Sequence, residues 1–145
     1  MRLIGSIVAW LFAAFCAYGL AIGAGQTLDL NNLAEMGVPM PMGVRLEAIW
    51  DSLFGAYLYA VVLVVGFAIA FYVASLVKAA VPVLSLIAYP VAGAAAVFVA
   101  LSLMKMKYDL YPVPGGSDPL GLWVHLACGL VGGIVFELFR PKRRD

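Results

Sequence analysis

Four long stretches almost free of charge constrain this chain more than any other feature. Residues 3–24 and 53–77 contain no Asp, Glu, Lys, Arg or His; 81–104 and 120–139 follow, the last interrupted only by His125 and Glu137. A membrane helix needs roughly 20 predominantly apolar residues. Each stretch meets that length, and backbone groups in lipid must bond within their own segment, which selects helix. A transmembrane barrel would instead show many short alternating segments. The composition agrees: 65% hydrophobic and 12% charged over 145 residues, against about 25% charged in a soluble domain. The expectation is an all-α polytopic membrane protein. It is a single domain over 1–145, a bundle of four transmembrane helices with an outer amphipathic segment.

The near-neutral balance of 9 Lys+Arg against 8 Asp+Glu excludes a broadly basic nucleic-acid surface. Cys16 and Cys128 form no disulfide framework and no CxxC. The basic residues set a direction. Arg2, Lys78, Arg140, Lys142, Arg143 and Arg144 fall on one side, and Arg45, Lys105 and Lys107 on the other. With the acids, the faces carry +4 and −3. Both termini are therefore expected in the cytoplasm, with links 25–52 and 105–119 outside, in a bacterial inner (plasma) membrane. The small residues at 21–25 resemble a cleavage site, but the first apolar run exceeds the 7–15 residues of a usual signal-peptide core, so the expectation is a retained helix.

Small residues mark helix contacts, because without them backbones cannot approach closely in lipid. The first span repeats them as Gly5, Ala9, Ala13, Ala17, Ala21 and Gly25; the third as Ala88, Ala92, Ala96 and Ala100; the fourth as Gly129 and Gly133 with Gly132 beside them. Spans one and three are expected to meet along their rows. Only Lys78, Ala79 and Ala80 separate spans two and three, giving a tight hairpin, with Pro82 in the first turn of the third span. Pro90 lies within that span and would remove the bond to the Leu86 carbonyl, which predicts a kink.

On the outer side, residues 44–54 place Leu46, Ile49, Trp50 and Leu53 at helical spacing with Arg45, Glu47 and Asp51 between them. That pattern suits an amphipathic helix at the interface. Trp50, Trp123, Tyr57, Tyr108 and Tyr111 lie near the same level and read as an aromatic belt. Met36, Met40, Met42, Met104 and Met106 also fall outside. Thioethers are soft ligands that select Cu(I), so Met36, Met40 and Met42 with His125 and Cys128 form a candidate copper site; the competing reading is apolar gap-filling.

Intramembrane ionisable groups are functional candidates, but His125 lies near the outer end and Glu137 near the inner end, three residues before Arg140, with which it is expected to pair unless it snorkels. No acid or base stands at mid-membrane. There is no phosphate loop around Gly115-Gly116, and one His leaves acyl-transfer catalysis unsupported. The expected function is therefore non-enzymatic: a small accessory subunit or interaction module of a membrane complex, without a cofactor, touching lipid and a membrane-protein partner or further copies of itself. Two alternatives remain: a small transporter, channel or binder of an apolar ligand such as a lipid or quinone, and a Cu(I)-binding membrane protein.

Overall fold

A computed structural model describes residues 2–109, 111–116 and 118–141. Five α-helices occur: α1 (Arg2–Glu35), α2 (Met42–Gly55), α3 (Tyr57–Ala80), α4 (Ala88–Tyr108) and α5 (Pro119–Phe139). A 3₁₀ turn, Pro82–Leu86, joins α3 to α4, and no strand occurs among the described residues. Helices α1, α3, α4 and α5 are long and apolar enough to cross a membrane. The chain is an all-helical integral membrane protein.

The boundaries differ from those expected, each for a local reason. The first helix does not stop at residue 24. Nothing in residues 25–35 breaks a helix, and the Thr27 hydroxyl bonds the Gly23 carbonyl at 2.7 Å, so α1 runs for 34 residues, about 51 Å at 1.5 Å per residue. That exceeds a hydrocarbon core of roughly 30 Å, and the polar C-terminal third projects beyond it. Gly37 ends the helix in the left-handed region at φ 85°. Its N–H reaches the Ala34 carbonyl, and the Val38 N–H reaches that of Leu33, the paired bonds of a Schellman close. The amphipathic stretch forms a separate helix, α2, and Ala56 (φ −90°, ψ 26°) breaks it from α3. Asp118 caps α5 by accepting from the Leu120 N–H at 2.8 Å, with Pro119 in the first turn.

Pro90 does not kink a span. It is the third residue of α4, and the first intrahelical bond runs from the Val91 N–H to the Ile87 carbonyl. At a helix start the first N–H groups have no partner in any case, so the proline loses nothing there. Its effect is to set where α4 begins, after the 3₁₀ turn that opens at Pro82.

The four spanning helices stand in the cyclic order α1, α5, α4, α3, with α3 closing on α1 and α2 packing mainly against α1. Spans one and three do not form a packed pair, contrary to expectation, because α5 lies between them. Its glycines allow this. A Cβ on Gly93 of α4 would land on the Gly129 carbonyl oxygen, and one on Gly133 would land on that of Tyr89. On the other face, a Cβ on Gly132 would meet the Phe67 ring at 2.8 Å and Ala17 Cβ at 2.9 Å. The bundle thus closes by backbone contact on one side of α5 and by alanine and phenylalanine on the other. Ala9, Ala13, Ala17 and Ala21 are all buried along α1.

The small-residue rows can be told apart by substitution. Ala13 is fully buried, whereas Ala92 lines an outward-facing groove between α3 and α4. Ala13→Leu should cost about 1–3 kcal/mol by overpacking; Ala92→Leu should change the melting temperature in detergent little, since the larger side chain enters open space.

Candidate functional site

Two polar assemblies sit at opposite ends of the bundle, with aromatic packing between them. Phe67 and Phe71 are 5.0 Å apart, Phe71 stacks on Phe136 at 4.4 Å, and Tyr89 lies 5.0 Å from Phe136. Phe67, Phe71, Tyr89 and Phe136 are all buried. Tyr89 is buried and packs edge to face against both Phe71 and Phe136.

The assembly at the end carrying links 25–52 and 105–119, labelled outer after the charge-based expectation, is built on His125, in the second turn of α5 and without exposed surface. Its Nε2 stands 2.9 Å from the Pro114 carbonyl oxygen and its Nδ1 3.2 Å from the Tyr59 hydroxyl. A carbonyl only accepts, so Nε2 carries the hydrogen. In the neutral ring Nδ1 then accepts from Tyr59. The Tyr59 and His125 rings meet edge to face at 5.7 Å. Asp29, on the projecting end of α1, accepts from the Gly115 N–H at 2.7 Å. Gly115 is left-handed at φ 75°, and a Cβ there would meet Gly25 Cα at 2.9 Å. A Cβ on Gly25 would strike the Pro114 carbonyl, and one on Gly121 the Gly115 carbonyl. The outer connection therefore threads between α1 and α5 where three glycines clear its path, and Asp29 and His125 hold it down. Beside this lid, the Tyr18 hydroxyl of α1 donates to the Leu53 carbonyl of α2 at 2.5 Å.

The inner assembly gathers Lys78 of α3, Glu137 of α5, Tyr89 of α4 and Arg140, which caps α5. Lys78 Nζ lies 2.9 Å from Glu137 Oε1, and Arg140 Nε lies 3.0 Å from Oε2. Arg140 also donates to the Tyr89 hydroxyl at 2.8 Å. Its guanidinium stands 4.8 Å from the Tyr89 ring centroid, with the ammonium of Lys78 at 5.5 Å. The sequence spacing anticipated the Glu137–Arg140 pair but not Lys78. Two signals for it were available: opposite sign, and placement at the same end of the spans. Nothing local pointed to Tyr59, Tyr89, Pro114 or Asp29, because each acts across elements far apart in the chain.

The five residues of the candidate copper site are not brought together. Met36, just past α1, and Met42, the first residue of α2, are each 71% exposed, and Met40 between them is half-buried. His125 is sealed under Pro114 with both nitrogens engaged, and Cys128 is buried one turn deeper. Met104, expected on the outer surface, is buried in the core. Among the described residues no group of three or more His, Cys, Asp and Glu is placed to hold a metal ion. Of the remaining packing residues, Gly5 faces Pro141, with a built Cβ 3.3 Å from its Cγ, and Ala96 is buried on α4.

A long open groove lies on the α3–α4 face. Two apolar stretches of groove, about 430 and 400 Å³, meet at Ala70 and Ala95. Val61, Val65, Gly66, Ala96, Val99 and Leu103 line the outer stretch. Val73, Val77, Leu84, Ile87, Val91 and Ala92 line the inner one.

No protein-family model matches the chain, and no curated protein or solved structure matches it.

Proposed function

We propose that the chain is a non-enzymatic accessory subunit or interaction module of a membrane complex, in the bacterial inner membrane with both termini cytoplasmic. One observation carries the reading. The ionisable side chains of the spans gather at the two ends of the bundle, His125 under Pro114 and Lys78 and Arg140 on Glu137, whereas the outer half of the α3–α4 groove faces outward with small residues on its floor. Helices associate in lipid where small residues let backbones approach, and Gly66 has only Ala96 within 4 Å of a built Cβ, at 3.8 Å. A partner helix fits such a floor. A second copy of this chain is the other occupant of the same kind.

Ala95→Leu tests this. The residue lines the groove and is exposed, so the substitution should leave thermal stability unchanged while abolishing co-purification of the partner, or self-association, in mild detergent. Retained association would move the interface elsewhere. The wholly apolar lining also favours a second reading, a bound lipid or quinone tail; extraction of a stoichiometric apolar small molecule from the purified protein, lost in the same variant, would select it.

The orientation rests on the basic asymmetry of the sequence. Ser117→Cys, at a position outside the described residues, should react with an impermeant thiol reagent in intact cells, as should Glu35→Cys on the exposed end of α1. Labelling of Lys142→Cys, also outside the described residues, would invert the arrangement.

A further inference from the structure

We infer that the Lys78–Glu137–Arg140 cluster is a binding site for the headgroup of an anionic phospholipid. Two cations share one carboxylate there, 2.9 and 3.0 Å away, and the third partner, the Tyr89 hydroxyl, is neutral. The cluster therefore carries one positive charge in excess, and among the described residues Glu137 is the only acid at this end of the bundle. The side chains of Lys78 and Arg140 are only 23% and 25% exposed. A cation largely removed from water lacks the solvation that would stabilise it, and an arriving phosphate supplies the missing counter-charge. Tyr89 holds both cations over one ring, so the charge is fixed in place before the anion binds.

The surroundings select a lipid over a free anion. Val77, next to Lys78, lines the inner stretch of the α3–α4 groove, about 400 Å³ in volume. Phe139, next to Arg140, borders a second apolar slot between α1 and α5, with Gly5, Val8, Ala9 and Phe12, of about 450 Å³. Apolar channels thus open on both flanks of the charge, running along the helices as acyl chains do. A headgroup phosphate at the cluster places its tails at the entrances of these slots. Basic pockets between spanning helices on a cytoplasmic side recognise anionic headgroups in this way. The charge cluster lies at the far end from the outer half of the α3–α4 groove, although the two stretches share Ala70 and Ala95, so the variants that test it, at Lys78 and Glu137, leave the partner surface proposed above untouched.

Native mass spectrometry of the purified chain in mild detergent tests the inference, with phosphatidylglycerol and phosphatidylcholine of identical tails as probes. Phosphatidylglycerol should be retained in preference to phosphatidylcholine. Lys78→Gln leaves Glu137 and Arg140 as a neutral pair and should weaken phosphatidylglycerol retention roughly fivefold, the worth of one basic residue at a membrane surface. Glu137→Gln raises the excess charge and should strengthen it. The soluble headgroup alone, glycerol phosphate, should not displace the lipid. Equal retention of the two lipids, an unchanged Lys78→Gln, or displacement by glycerol phosphate would overturn the inference. Should Lys78→Gln fail to fold, Glu137→Gln decides by sign: tighter retention supports the site, and unchanged or weaker retention refutes it.

Discussion

Gly93→Ala should unseat α4 from α5. The added Cβ would land on the Gly129 carbonyl oxygen, with the Gly133 nitrogen 3.1 Å away. These are backbone atoms inside a helix, so no rotamer change relieves the clash and the helices must separate. Separation weakens the whole contact row that Gly93, Gly129 and Gly133 make possible, in a setting where close packing rather than water exclusion drives association. The expected loss is about 3 kcal/mol, the upper end for one overpacked group. Gly19→Ala and Gly23→Ala are the controls. Neither Cβ meets anything within 4 Å, and replacing a helical glycine by alanine is worth up to about 1 kcal/mol in favour of the helix. Thermal unfolding in mild detergent should therefore move in opposite directions for Gly93 and the two controls. A Gly93→Ala variant as stable as the wild type would mean that the α4–α5 contact is looser than described.

His125→Leu should open the outer connection. The leucine fills similar space but leaves the Tyr59 hydroxyl and the Pro114 carbonyl without their partner, and each unsatisfied buried group costs about 1–3 kcal/mol. Tyr59→Phe removes one hydroxyl and leaves only Nδ1 unpaired, so its effect should be near half as large. The loop supplies a second readout. Val113, next to Pro114 in the lid itself, is buried, and a Val113→Cys thiol should be protected in the parent and become reactive when His125→Leu is added. If it stays protected, Asp29 and the three glycines hold the connection without the histidine.

Both expectations depend on residues of very different legibility. The spans could be read from composition, because lipid imposes one rule on every spanning segment: long, apolar and helical. The α5 boundaries at Pro119 and Phe139 follow closely from the same rule plus an Asp-Pro start. The ends of the other spans were less readable. Residues 25–35 are polar enough to look like a link, yet a helix needs only the absence of breakers and something to pack on, and α2 provides it. Pro90 looked like a mid-span kink because hydropathy runs unbroken from 81; the Pro82 turn, not the apolar pattern, decides where α4 starts.

The candidate site divides in the same way. Glu137 and Arg140 are three residues apart on one helix, so their pairing is a local fact. Lys78 reaches Glu137 from another helix. His125 was visible as an isolated polar group in an apolar span, but its meaning depends on Tyr59, 66 positions away, and on a proline carbonyl, 11 away. The methionines mislead for the opposite reason. Met36, Met40 and Met42 are close in sequence and chemically alike, but the helix end at Gly37 and the start of α2 leave Met36 and Met42 out on the surface, while His125 is shut beneath the lid.

The sequence by itself determined that this protein spans a membrane with four helices and where its small residues lie, since both follow from the chemistry of single segments in lipid. Only the tertiary structure decided which rows meet. Spans one and three carry the longest alanine rows, yet α5 stands between them, because its glycines offer two faces thin enough to admit a neighbour on each side. A small residue permits close approach without naming the partner. That choice depends on the loops, on Pro82, Pro90 and the Pro114 lid, and on two polar clusters whose members come together only when the bundle closes.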